Sequence, residues 1–248
     1  MSSKVVQWLT VCAVVFSAGR SLAQMGFNTG MFFKSQSQPC TAGSQSFTTA
    51  GNHTWTVPEG SCTIVVKVWG AGGNGSGDVD SHSQGNGGSS SFNGSQVVAN
   101  GGGNGVFNST SGGTASGGDT NITGGNGGPS SNDGTTSATG GNGGSAPGGG
   151  GAGGTGTVYG AGIQCSNGSA PGGGGGSGAH NYGPVEDTYG KVGGPAGGYA
   201  MKTYASGTLS PGASISLTVG AGGPAGYGSC TSGYGKGGDG KVQIDWSP

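Results

Sequence analysis

Apolar and polar residues alternate with a period of two in two C-terminal stretches. Ile215, Leu217 and Val219 alternate with Ser214, Ser216 and Thr218, and Val242, Ile244 and Trp246 alternate with Lys241, Gln243 and Asp245. This spacing predicts strands with one face on a core and the other in water. Residues 63–69 differ. Ile64, Val65, Val66 and Val68 make that run apolar on both faces, which predicts a buried central strand. Before it, an extended run over 47–57 is closed by Pro58, and Glu59-Gly60-Ser61 makes a turn. Residues 96–99 and 199–204 are further strand candidates, and Pro211-Gly212 reads as a turn. Past the N-terminal leader no segment has a helical period. The expected fold class is therefore mainly β, with no significant α-helix in the mature chain.

Between these strand-forming ends, residues 70–198 are dominated by glycine. Gly-Gly-Asn-Gly-Gly occurs at 124–128 and again at 140–144, with oligoglycine at 148–151 and 172–176. The glycines drift between frames, which excludes the strict every-third-residue pattern of a collagen triple helix. Two readings remain. One is a flexible filler, which composition alone favours. The other is a set of extended polyglycine II-type helices, three residues per turn, whose backbone groups point sideways and are satisfied by neighbours.

Composition narrows the class. Glycine supplies 66 of 248 residues, apolar residues 30% and charged residues only 7%, so few side chains are available to bury. Residues 1–23 have a basic start at Lys4, a short apolar stretch and a small-residue exit at Ser21-Leu22-Ala23, the layout of a secretory signal peptide. A polar segment, 24–45, precedes a single glycine-rich β domain over 46–248. Removing Lys4 and Arg20 with the leader leaves 6 of the 8 basic residues against 9 acidic ones, a net charge of −3. No basic patch survives to recruit nucleic acid, and no membrane insertion is expected. Cys12 leaves with the leader. Cys40, Cys62, Cys165 and Cys230 remain, an even number that predicts two disulfides in an exported chain. Three connectivities are open; the pairing expected here joins Cys40 to Cys62 and Cys165 to Cys230. Sequons for N-glycosylation stand at Asn52, Asn74, Asn93, Asn108, Asn121 and Asn167.

The flanking motifs carry a resemblance. Thr54-Trp55-Thr56-Val57-Pro58-Glu59-Gly60, then Ile64 through Val68 and Trp69-Gly70-Ala71-Gly72-Gly73, open the pattern. Leu209-Ser210-Pro211-Gly212, Ile215 through Val219 with Gly220-Ala221-Gly222-Gly223, and Gly237-Gly238-Asp239-Gly240 before Val242 close it. Over 46–248 this resembles a family of glycine-rich domains in phage tail-fibre and bacterial surface proteins. It is also similar to the extracellular glycine-rich domain of the anaplastic lymphoma and leukocyte receptor kinases. The resemblance implies a jelly-roll-like β-sandwich whose glycine-rich insert folds as packed polyglycine II helices. It implies little about function, because a fold hosts many.

Catalytic chemistry has few candidates. His53, His82 and His180 each sit in Gly- or Ser-rich sequence, and Gly75-Ser76-Gly77 lies in a tract where serine-hydrolase patterns arise by composition. Asp78 with Asp80, and Glu186 with Asp187, offer calcium only two carboxylates each. No cofactor or metal is expected. The seven tyrosines, all between Tyr159 and Tyr234, are expected to pack on glycine backbone; sugar stacking or cross-linking is the functional alternative. The expected function is non-enzymatic: a secreted structural protein of a shell, cuticle, mucus or adhesive matrix. Its expected partners are other extracellular matrix proteins, polysaccharide or its own copies. A soluble adhesin binding a glycan or receptor is the alternative, and an ice-binding protein a third.

Overall fold

The computed structural model describes residues 38–60, 62–76, 85–105, 111–132, 138–156, 165–178, 191–224 and 235–248, all within the unit Ser37–Pro248. The described residues are mainly β, without helix. Twelve strands run in chain order: β1 Gly43–Phe47, β2 Gly51–Thr56, β3 Thr63–Trp69, β4 Ser90–Phe92, β5 Val97–Ala99, β6 Ala115–Ser116, β7 Thr120–Ile122, β8 Ser131–Asn132, β9 Ala138–Thr139, β10 Tyr199–Tyr204, β11 Ser214–Val219 and β12 Lys241–Ser247. They form two antiparallel five-stranded sheets, ordered β1-β12-β3-β10-β7 and β2-β11-β4-β5-β6, and a small β8-β9 pair.

The alternating strands behave as their sequence dictates. In β11 Ile215, Leu217 and Val219 are buried, and in β12 Val242 and Ile244 are. These join Ile64, Val66 and Val68 of β3 in one core with Trp55, Phe92 and Val97 of the other sheet. Aromatic contacts tie the sheets together: Trp55 to Trp246, ring centroids 5.9 Å apart, and Phe92 to Tyr204 at 6.0 Å. β3 is central, between β12 and β10, as its composition predicts. Its second face is only half-covered, however. Val65 and Lys67 lie partly open, and Lys67 meets Asp245 of the adjacent strand at 3.1 Å. A central position in a sheet explains the apolar run without burial on both sides.

The run over 47–57 is not one strand. It breaks after Phe47 and resumes at Gly51, whose φ of 132° suits a residue without a side chain. β1 then pairs with β12 in one sheet and β2 with β11 in the other. The chain changes sheets at residues 48–50. Alternation cannot register such a crossing, because both halves remain extended.

The glycine-rich residues are also placed. Twelve extended segments (70–76, 85–89, 100–105, 111–114, 123–130, 140–146, 150–156, 165–170, 172–178, 191–198, 220–224 and 235–240) lie side by side, joined by backbone hydrogen bonds. Along 70–76 the donors turn through three neighbours in strict rotation. Gly70, Gly73 and Ser76 donate to Gly198, Pro195 and Val192; Ala71 and Asn74 donate to Gly88 and Gly85; Gly72 and Gly75 donate to Gly238 and Gly235. The carbonyls rotate likewise: Ala71 and Asn74 accept from Gly102 and Gly105, Gly72 from Gly223, and Gly73 from Gly175. Donor partners step backwards by three residues, so those neighbours are antiparallel.

Three segments occupy the middle. Residues 70–76 and 172–178 are buried throughout, as is 191–198 apart from Val192. They bond to one another through Gly73 to Pro195, Gly194 to Gly175, and Gly175 to Gly73. The other nine close a ring around them, each bonded to the next. Eight segments are direct continuations of strands of the two five-stranded sheets, and they keep the order of those sheets. The continuations of β11, β4, β5 and β6 are linked by Gly88 to Ala221, Gly87 to Gly102 and Asn100 to Thr114. Those of β12, β3, β10 and β7 are linked by Gly72 to Gly238, Gly73 to Pro195 and Gly193 to Gly128.

Candidate binding face

Close approach requires bare backbone. A Cβ on Gly73 would collide with the carbonyl oxygen of Gly103, and one on Gly194 with the backbone of Gly73 and Asn74. At the ring the requirement relaxes on one side only, and there the non-glycine residues stand. In 123–129, Thr123, Asn126 and Pro129 are exposed while Gly124 and Gly127 are buried. In 140–146, Asn142 and Ser145 are exposed beside buried Gly141 and Gly144; in 150–156, Ala152 and Thr155 beside buried Gly151 and Gly154. The exposed residue recurs every third position in all three segments.

These three segments form one layer. The middle one, 140–146, receives hydrogen bonds from Gly125 and Gly128 on one flank, at 3.2 and 2.6 Å. On the other flank Gly143 and Ala146 donate to Gly154 and Gly151 at 2.8 and 3.0 Å. Underneath, Gly141 and Gly144 donate to Lys191 and Gly194, and Ser177 and Gly174 donate back to Gly141 and Gly144. The middle segment thus sits over the groove between 172–178 and 191–198, which places the three outer segments in a row. The result is a flat face of small, uncharged, non-aromatic residues. The 235–240 segment, elsewhere in the ring, carries a Lys236–Asp239 pair at 3.2 Å instead.

Asparagine performs a repeated task. Where a segment lacks a neighbour, an Asn side-chain oxygen takes the stranded backbone N–H. Asn126 accepts from Gly112 at 3.1 Å, Asn142 from Gly156 at 2.9 Å, Asn86 from Asn104 at 2.9 Å and Asn167 from Lys236 at 2.8 Å. The side-chain amide stands in for a peptide unit. This role was missed in the sequence, although the paired Gly-Gly-Asn-Gly-Gly motifs at 124–128 and 140–144 carried its signal.

The sequons fall in unlike places. Asn52 and Asn121 are exposed on edge strands β2 and β7, Asn167 is exposed in the ring, and Asn93 is partly exposed in the β4–β5 turn with φ 55°. Asn74 is different, with no exposure at all. Its Nδ2 donates to the Pro224 carbonyl at 3.1 Å and its Oδ1 accepts from Gly85 at 3.1 Å. A glycan has no room there, so Asn74 is corrected from candidate acceptor to interior strut. Asn108 lies outside the described residues.

Cys40 and Cys62 are bonded to each other, as expected. Cys165 is buried and also disulfide-bonded; Cys230 lies outside the described residues. So do His82, His180, Asp78, Asp80, Glu186, Asp187 and every tyrosine but two. Those two, Tyr199 and Tyr204, are buried. Tyr199 packs on Trp69 at 5.1 Å, and the indole N–H of Trp69 donates to the Pro147 carbonyl at 3.0 Å. The turn between 140–146 and 150–156 thereby packs over the C-terminal end of β3, where it passes into the 70–76 segment. His53 lies on edge strand β2 with Nε2 2.7 Å from the Thr49 carbonyl. Among the described residues no group of three or more His, Cys, Asp or Glu could hold a metal, and no helix is long and apolar enough to cross a membrane. Comparison with protein-family models, curated proteins and solved structures finds no match for this chain.

Proposed function

We propose that this chain is a secreted, non-catalytic structural protein of an extracellular material, whose working part is a bundle of polyglycine II-type helices on a jelly-roll-like β-sandwich. The observation that carries the reading is the rotation of donors along 70–76, which returns to the same neighbour every third residue. That is the period of a three-residue-per-turn helix without internal hydrogen bonds. A bundle built this way is held by mutual backbone bonds and needs no large apolar core. Its face over 123–130, 140–146 and 150–156 is uncharged and built of small residues, suited to a hydrated framework. The Cys40–Cys62 bridge is compatible with an oxidising compartment, and a signal peptide at 1–23 would deliver the chain there.

The test is fractionation of the source tissue's extracellular material followed by peptide mass spectrometry. A framework component is recovered chiefly from the fraction that resists mild extraction, and its N-terminus begins at Gln24. Recovery only as a freely soluble protein, or only from within cells, contradicts the reading.

A further inference from the structure

We propose that the flat face formed by residues 123–130, 140–146 and 150–156 binds the surface of ice. The proposal rests on the position of these segments in the bundle, not on the framework role. Three features of the face point to this ligand.

The first is regularity. Three residues of an extended three-fold chain advance about 9 Å, close to a doubled a-axis repeat of hexagonal ice. Thr123, Asn126 and Pro129, then Asn142 and Ser145, then Ala152 and Thr155, repeat at that interval along three adjacent rows. The second is preorganisation. Flank and floor hydrogen bonds fix the rows, and the amide oxygens of Asn126 and Asn142 are held by Gly112 and Gly156. Little side-chain entropy remains to be lost on docking to a rigid lattice. The third is chemistry. The face has no charge to hold mobile counter-ions and only small side chains. Its outward backbone groups and short polar side chains order water at fixed intervals.

Two other occupants fit less well. A polysaccharide presents apolar sugar faces, which are gripped by aromatic rings, and among the described residues no aromatic side chain stands on this face. A second copy cannot extend the bundle here, because Asn142, Ser145, Ala152 and Thr155 hold an incoming backbone at a distance that glycine alone would close.

The test uses the full secreted chain with its disulfides intact, on single ice crystals in a nanolitre osmometer. The expected result is a gap between melting and freezing points with faceted crystals, and enrichment of the protein in slowly grown ice. Ala152→Lys abolishes both, since it raises a charge from the 150–156 row of the face while removing no hydrogen bond of the Ala152 side chain. Ala221→Lys, at an exposed position of the 220–224 segment outside the face, leaves both intact. Absence of any gap in a protein whose bundle amides exchange slowly overturns the proposal and leaves the bundle standing. Equal loss in both variants, or retention on crystalline chitin without an effect on ice, also overturns it. Rapid exchange of the bundle amides removes the face and the bundle together.

Discussion

At the scale of single residues, glycine is required by distance rather than by torsion. Gly73 and Gly103 are both in the bundle and differ in what a methyl group would meet. At Gly73 it would overlap the Gly103 carbonyl; at Gly103 its nearest neighbour is the Ser111 carbonyl at 3.7 Å, ordinary contact. Gly73→Ala is therefore expected to cost about 3 kcal/mol or more, at the upper end of overpacking effects. Gly103→Ala should be neutral or stabilise by up to about 1 kcal/mol, through the lowered entropy of the unfolded chain. Denaturant titration of the two variants separates these outcomes; equal effects would argue against close packing. Asparagine is bound by the same logic. Asn142→Ala strands the buried Gly156 N–H and should cost about 1–3 kcal/mol, whereas Asn142→Asp keeps the acceptor and most of the stability. At Asn74 the expected result is an unmodified side chain. Intact-peptide mass spectrometry of the protein produced in a glycosylating host should find residue 74 without glycan even where Asn52 or Asn167 carries one.

At the scale of elements, what matters is how strands hand over to glycine segments and how edges are tied. β1 is an edge strand held to β12 by its ladder and by Ser44, whose hydroxyl donates to Asp245. Burial pushes the Asp245 carboxyl up, but hydrogen bonds from Ser44, Gln243 and Lys67, with the Lys67 charge, outweigh it and leave its pKa below the usual carboxylate value. A depressed folded-state pKa contributes stability that is complete above the unfolded value, about 3.9, and is lost as pH falls through the folded value. Stability from this group is thus flat from pH 5 to 8 and declines below about pH 4. Asp245→Asn should cost at most about 1 kcal/mol at neutral pH, since the pair is a third exposed. It should also flatten that part of the acid limb, measurable by thermal melts from pH 2 to 6.

The strands that alternate cleanly, β11 and β12, were legible because one buried face leaves a period of two. β10 was legible from Tyr199 and Tyr204. The division of 47–57 was not, since an extended chain that changes sheets keeps its extended composition. Nor could composition place the glycine tracts. Their order is written in distances between backbones that are far apart in sequence, such as Gly73 with Gly175, and bare glycine records no partner. The candidate face was half legible: the spacing of Asn142 and Ser145 was in the sequence, but its alignment with Asn126 and Ala152 required the packing.

At the scale of the whole molecule, two structures share one set of chain crossings. The sheets supply an apolar core, from Trp55, Phe92 and the β3, β11 and β12 side chains. The glycine segments supply backbone bonds, with segments 70–76, 172–178 and 191–198 at the centre. Because eight segments continue strands in sheet order, the sandwich aligns the bundle, and the bundle caps the sandwich through Pro147 over Trp69.

The most direct measurement is hydrogen–deuterium exchange of the oxidised protein, resolved to the glycine segments. Amides at Gly72, Gly73, Gly175 and Gly194 should be protected as strongly as those of Val66 and Ile244 in the sheet core. Exchange of those glycine amides at the rate of an unstructured chain, with the sheet core still protected, would contradict a hydrogen-bonded bundle.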